Sequence, residues 1–109
     1  MFKETWDQLE AEIDIYSANR TLDCDASKSL LDAYYDSIIM AINELNFDEH
    51  SMELKAKESY HRLPLNFFER IHYIESRKYH FMGYQQMKTM NRELIKLLAV
   101  KNIKNQQKK

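Results

Sequence analysis

The sequence contains only one cysteine, one proline and one glycine in 109 residues. With so little glycine, few positions can adopt the positive φ angles of tight hairpin turns, which argues against an all-β fold. The lone Cys24 cannot form an internal disulfide bond. No apolar run near the N-terminus is typical of a signal peptide or long enough to span a membrane. We therefore expect an all-α, cytoplasmic protein with no membrane partner.

The sequence also lacks the short motifs that carry chemistry. It has no glycine-rich phosphate loop, and no nucleophile motif surrounds any serine or the cysteine. Two Glu-x-x-His spacings are present, Glu58 with His61 and Glu69 with His72. A di-iron bundle uses such pairs on two separate long helices, whereas these lie eleven residues apart across Pro64. We expect no metal site, no cofactor and no enzyme; an active site assembled from residues distant in sequence is the alternative.

Apolar residues recur at helical spacing along most of the chain. A chain of this length has room for one core, which predicts a single domain over residues 1–100 and a frayed basic tail over residues 101–109. The pattern predicts a compact bundle of four to five helices. The expected segments are residues 3–18, 27–45, a weak segment 48–58, 67–76 and 81–100.

The first predicted helix has a narrow apolar seam. Its seam residues are spaced alternately by four and three: Phe2, Trp6, Leu9, Ile13 and Tyr16. We assign its carboxylates to the outer, solvated face: Glu4, Asp7, Glu10 and Asp14. A seam of two heptads is too short for an extended coiled coil and favours packing within the chain. We therefore favour a monomer, with a homodimer as the minority interpretation.

The last two predicted helices are separated by a break near residues 77–80. Asn66 and Glu69 have the spacing of a capping box, which predicts the start of the shorter helix. An unbroken helix would place Lys78 in the middle of the apolar stripe, so the longer helix must start afresh. Its own buried stripe begins at Tyr84, and Gly83 lies near its start, where a glycine costs less than in the middle.

The two halves of the chain have opposite charge. Residues 1–50 carry three basic and twelve acidic side chains, a balance of −9, and residues 51–109 carry thirteen basic and five acidic, a balance of +8. One interpretation is that acidic helices pack beside basic ones and their charges complement each other. The other is that part of the basic half faces an anionic partner.

An aromatic and basic strip in the second half is the candidate binding surface. It consists of Arg70, Tyr73, Arg77, Lys78, Tyr79, His80 and Tyr84. Arginine and tyrosine are enriched in protein interfaces, and both can also contact phosphates and bases. We expect an interaction module with an unknown protein partner; the alternative is a nucleic-acid-binding accessory protein. A third interpretation is structural, with tyrosines at the core margin and arginines paired to the acidic helices.

A set of residues between positions 64 and 96 forms a recognisable pattern: Pro64, Asn66, Glu69, Arg70, Ile74, Arg77, His80, Phe81, Glu93, Leu94 and Lys96. This third of the chain resembles the C-terminal part of the YpoC-like proteins, a family of small helical proteins of Gram-positive bacteria whose function is not characterised. The family often has a proline where this chain has Lys78. The resemblance implies a compact helical domain and genes often near replication and repair functions. It supplies no catalytic residue.

Overall fold

Four α-helices make up the fold in the computed structural model, which describes residues 2–107. The helices are α1 (Phe2–Ala18), α2 (Asp25–Phe47), α3 (Phe67–Ser76) and α4 (Phe81–Gln107). Residues 2–107 contain no strand, so the prediction of an all-α single domain is confirmed. The α3 bounds match the prediction, as does the break before α4.

The predicted weak helix at residues 48–58 is wrong. Only a 3-10 turn at Lys57–Ser59 is regular there, because the segment has no apolar stripe with which to pack a helix. Two asparagines of α2 hold the connection instead. Asn43 Nδ2 donates to two backbone carbonyls of this segment, at 2.8 and 2.9 Å. Asn46 Oδ1 accepts the backbone N–H groups of His61 and Arg62 at 2.9 and 2.8 Å.

The predicted end of the last helix at Val100 is also wrong, because α4 continues to Gln107. Lys101 ties the extension to α2: its Nζ donates to the Glu44 backbone carbonyl at 2.6 Å and pairs with the Asp48 carboxylate. Residues 101–107 of the predicted frayed tail over residues 101–109 are thus helical, and the fraying itself stays a prediction. The last two positions of the tail lie outside the described residues.

Helix α2 lies at the centre of the core. Its buried apolar residues are Leu31, Tyr34, Ile38, Ile39, Ala41, Ile42 and Leu45. Burying an aliphatic side chain of this size contributes roughly 1.5–3 kcal/mol, so this stripe is the largest single source of stability. Helices α1 and α4 both pack on α2, and α3 packs on α4.

Helix α1 uses its seam within the chain. Trp6 and Ile13 are fully buried, and the Trp6 indole Nε1 donates to Ser37 Oγ at 2.7 Å. On the margin of the seam, the Tyr34 hydroxyl donates to a Glu10 carboxylate oxygen at 2.8 Å. The intramolecular packing that we expected is therefore present. The oligomeric state stays a prediction.

The predicted capping box at Asn66 does not form. Asn66 has φ 55° and ψ 36°, a left-handed conformation, and its side chain makes no capping hydrogen bond. A side chain caps a helix from the extended region, so this backbone conformation excludes the predicted bond. The Phe67 N–H instead donates to the Pro64 carbonyl at 3.1 Å. Asparagine tolerates the left-handed region better than most residues, which suits it to this sharp entry into α3.

Gly83 is buried where the first turn of α4 crosses the end of α3. A Cβ atom at this position would lie 1.9 Å from the Arg77 backbone carbonyl oxygen and 2.6 Å from its carbon. Because both are backbone atoms, they cannot move aside without displacing the corner. Close approach of two helices therefore explains the only glycine of the chain, rather than the low cost of glycine near a helix start.

We predict that Gly83→Ala destabilises the protein by about 1–3 kcal/mol. Alanine gains up to about 1 kcal/mol in helix propensity, but forcing a methyl group into a filled contact costs more. Urea unfolding measures the difference. Ser29→Ala, an exposed position in α2, is the matched control and should be neutral or slightly stabilising. Equal stability of Gly83→Ala and wild type would contradict the close approach.

Candidate functional site

The structure does not bring the seven predicted site residues together on one open surface. Tyr84 is in the core, Lys78 and Tyr79 are bound to α2, and Arg70 is paired with α4. Tyr73, Arg77 and His80 remain at the surface. The candidate site is therefore smaller than the predicted strip.

Tyr84 was predicted on the binding surface, and that placement is wrong. Its exposed fraction is 0%, and its ring packs edge-on against Tyr34 with centroids 5.8 Å apart. The Tyr84 hydroxyl donates to Asp14 Oδ1 at 2.6 Å. Burial, and next the hydrogen bond to Asp14, raise the pKa of the Tyr84 hydroxyl far above its usual range. The Tyr84 ring lies in the core, and its hydroxyl reaches a carboxylate at the surface. The hydroxyl is therefore hydrogen-bonded within the protein, and the side chain is not accessible to a binding partner.

Lys78 and Tyr79 share one acceptor on α2. Lys78 Nζ lies 2.8 Å from Asp32 Oδ1, and the Tyr79 hydroxyl donates to the same oxygen at 2.7 Å. The Lys78 ammonium also lies over the Tyr35 and Tyr79 rings, 5.1 and 5.3 Å from their centroids. Burial opposes ionisation of Asp32, but the hydrogen bonds from Lys78 and Tyr79 outweigh it and lower the Asp32 pKa. These two side chains bind the segment between α3 and α4 to the acidic helix α2.

Arg70 is also committed to an internal contact. Its guanidinium lies 2.6 Å from Glu93 Oε2 on α4, and Nη1 donates to the Leu65 carbonyl at 3.2 Å. The Arg70 side chain is only 20% exposed. The third interpretation of the strip predicted that its arginines pair with the acidic helices. Arg70 does pair with a carboxylate, but that carboxylate, Glu93, belongs to the basic half.

His80 stands at the N-terminus of α4. Its Nδ1 accepts the Met82 backbone N–H at 3.3 Å, and its carbonyl accepts the Tyr84 N–H at 3.0 Å. The imidazole therefore satisfies an N–H group that the helix itself leaves without a partner. His80 is exposed, but its ring already has this local role.

Arg77 is the exposed cation of the strip that meets no carboxylate within residues 2–107. Its guanidinium lies over the half-buried Tyr73 ring, 5.3 Å from the centroid. A shallow groove adjoins Tyr73, with walls formed by Asn66, Glu69, Arg70, Tyr73 and Gln86. We call Arg77, Tyr73 and these walls the Arg77 surface. It offers an arginine fork and an aromatic face beside a recess.

Three long-range ion pairs join the acidic half to the basic half, besides the local pair of Glu49 with Lys55. They are Asp14 with Lys88 at 2.8 Å, Asp32 with Lys78 at 2.8 Å, and Asp48 with Lys101. The interpretation that acidic helices pack beside basic ones is therefore correct for these residues. Each of these three pairs involves α4 or the residues just before it, so together they bind residues 78–101 to the acidic half.

Two carboxylates on α1 have an inward role that was not predicted. Glu10 and Asp14 were assigned to the solvated face, yet they accept the hydroxyl groups of Tyr34 and Tyr84. No signal within α1 distinguishes them from Glu4 and Asp7, because the partners lie 24 and 70 residues away.

The part of the chain that the structure describes contains no group of three or more His, Cys, Asp or Glu side chains that could hold a metal ion. Both members of the Glu69 and His72 pair are exposed. Within the same residues, no helix is both long and apolar enough to cross a membrane.

One comparison with known proteins gives a match. The family model described as YpoC-like protein matches residues 1–106. No curated protein matches the chain, and no solved structure does. The match extends the resemblance seen in residues 64–96 to nearly the whole chain.

We predict that Tyr84→Phe costs about 1–2 kcal/mol of stability, because it removes a hydrogen bond from a buried phenol to a charged acceptor. Tyr73→Phe is the matched control. No hydrogen bond of the Tyr73 hydroxyl exists among the described residues, so the same atom is lost there at a cost below about 0.5 kcal/mol. Denaturant unfolding of both variants checks this. Equal losses would contradict the different placement of the two tyrosines.

We predict that acidification weakens the fold through Asp14 and Asp32. Burial opposes ionisation of each carboxyl, but hydrogen bonds from a lysine and a tyrosine outweigh it and lower both pKa values. A lowered folded-state pKa adds stability that is complete above the ordinary aspartate value of about 4 and is lost as the pH falls through the lower value. Urea unfolding at several pH values measures this loss.

Asp32→Asn should lose less stability than wild type between about pH 4 and pH 2, because the variant lacks one of the linked protons. Glu12→Gln, which removes an exposed carboxylate of α1, is the control and should follow wild type. Parallel curves for wild type and Asp32→Asn would show that this carboxylate does not contribute.

Proposed function

The chain belongs to the YpoC-like family, and we propose that it acts as a non-enzymatic module that binds a protein partner on the Arg77 surface. We further propose that it works in the cytoplasm as a monomer. The cytoplasmic assignment is supported by the lone Cys24, since disulfide bonds are common in oxidising compartments.

The observation that supports the proposal most strongly is that Arg77 has no ion pair among the described residues. Arg70 and Lys78 neutralise carboxylates of the same chain, whereas the Arg77 guanidinium meets none within residues 2–107. Its contact with the Tyr73 ring positions it in advance, which lowers the entropy that a partner must overcome. Arginine and tyrosine side by side are the residue types that most often dominate binding energy at interfaces.

The corner at Gly83 supports the same surface. Gly83 packs against the backbone of Arg77, so the residue that presents the guanidinium is held by the close crossing of α3 and α4. The Arg70 ion pair with Glu93 joins the same two helices further along. These contacts restrain the backbone that carries the surface, and a restrained surface binds a partner at a lower cost in ordering.

A nucleic-acid partner is the second candidate. Arg92 and Lys96 lie one turn apart on α4, and both are exposed without a carboxylate partner among the described residues. Exposed, unneutralised cations of this kind are suited to contact phosphates. Binding of that kind weakens steeply as salt concentration rises.

Affinity capture from an extract of the native cytoplasm tests the proposal. We expect wild type to retain a specific protein and Arg77→Ala to lose at least about 90% of it, as truncation of a dominant interface arginine predicts. Arg62→Ala removes an exposed cation elsewhere in the chain and should behave like wild type. The absence of a protein that wild type retains and Arg77→Ala loses would overturn the protein-partner proposal.

Titration of labelled single- and double-stranded nucleic acid at low and moderate salt tests the second candidate. Binding at low salt that is weakened by the combined Arg92→Ala and Lys96→Ala changes would favour it. No binding at low salt would discard it.

A further inference from the structure

A second groove lies between the first turn of α1, the last turn of α2 and the C-terminal half of α4. Its volume is about 270 Å³. The apolar part of its lining consists of Phe2, Ile95, Leu98 and Ala99. The polar part consists of Lys3, Glu44, His50 and Asn102. None of these residues belongs to the Arg77 surface, so the groove is an independent feature.

The Glu44 carboxylate is the unusual group in this groove. Its Oε2 is buried and makes no hydrogen bond, although His50 Nε2 lies 3.1 Å away. A buried carboxylate oxygen that lacks a hydrogen bond is unfavourable, because its lost hydration is not replaced. The His50 side chain is 60% exposed, so it can move aside without uncovering the core.

No lysine or arginine of the described residues neutralises this carboxylate. Lys3 lines the groove, but its Nζ is bonded to Asp7 at 2.9 Å. Lys101 contacts the Glu44 backbone carbonyl at 2.6 Å and pairs with Asp48. The last turn of α2 contains no basic residue, and the C-terminal end of a helix carries partial negative charge. The groove therefore combines an apolar lining with a site that favours a cation.

We propose that this groove binds a small aliphatic monoamine. Its ammonium group donates to the Glu44 carboxylate, and its alkyl chain packs on Phe2, Ile95 and Leu98. An ammonium has three donors and supplies the hydrogen bond that Oε2 lacks. Glu44 is the one carboxylate that lines the groove, which suits a single ammonium group rather than a polybasic segment.

Titration with hexylamine, followed by backbone amide chemical shifts of the full chain, tests the proposal. Hexanol and hexanoate are probes with the same chain length and a neutral or a negative head. We expect hexylamine to shift the amides of Phe2, Glu44, Ile95 and Leu98. It should bind about tenfold more tightly than hexanol, as a charge-assisted hydrogen bond implies. Hexanoate should not bind.

Two variants complete the test. Glu44→Gln should reduce the hexylamine affinity to that of hexanol, while Glu12→Gln, on the exposed face of α1, should leave it unchanged. Ala99→Leu fills the groove but leaves Glu44 in place, and it should abolish binding of both hexylamine and hexanol. This variant tests the site even if Glu44→Gln fails to fold. Equal binding of hexylamine and hexanol, unchanged affinity in Glu44→Gln or in Ala99→Leu, or shifts confined to other surfaces would overturn the proposal.

Discussion

Two aspartates of the acidic half each hold a lysine and a tyrosine of the basic half. Asp14 on α1 accepts from Tyr84 and Lys88, and Asp32 on α2 accepts from Tyr79 and Lys78. In both places the lysine also lies over the ring of its tyrosine, 4.6 Å from the Tyr84 centroid and 5.3 Å from the Tyr79 centroid. One carboxylate thus satisfies a phenol and an ammonium together, and the apolar rings fill the space between helices. This repeated contact joins the acidic half of the chain to the basic half.

The same contacts decide which charges are left for a partner. Each internal ion pair removes one cation from the second half, and Arg70 is removed by Glu93 within that half. Arg77 remains because it lies in the tight corner after α3, where the backbone faces Gly83 and the side chain turns back over Tyr73. The proposed partner surface therefore consists of the part of the strip that is not used in internal ion pairs. It is small because most basic side chains of the strip are used in such pairs.

Helical periodicity was enough to predict the four helices and the bounds of α3, because both depend on apolar spacing within one segment. The connection between α2 and α3 could not be predicted in this way. It is held by Asn43 and Asn46, whose bonds to the chain span 8 to 16 residues. Tyr84 shows the same limit within a single residue. The position of Tyr84 in the apolar stripe of α4 predicted burial, whereas its hydroxyl group and its basic neighbours suggested a surface position. Both features are explained by the distant Asp14, which accepts the hydrogen bond of the buried side chain.

The central claim is that the acidic and basic halves are energetically coupled through these shared carboxylates. A double-mutant cycle between Asp14→Asn and Tyr84→Phe, measured by urea unfolding at neutral pH, tests it most directly. We predict a coupling free energy of about 1–2 kcal/mol, the value expected for a hydrogen bond from a buried phenol to a charged acceptor. Additive effects of the two changes, within about 0.3 kcal/mol, would contradict the account.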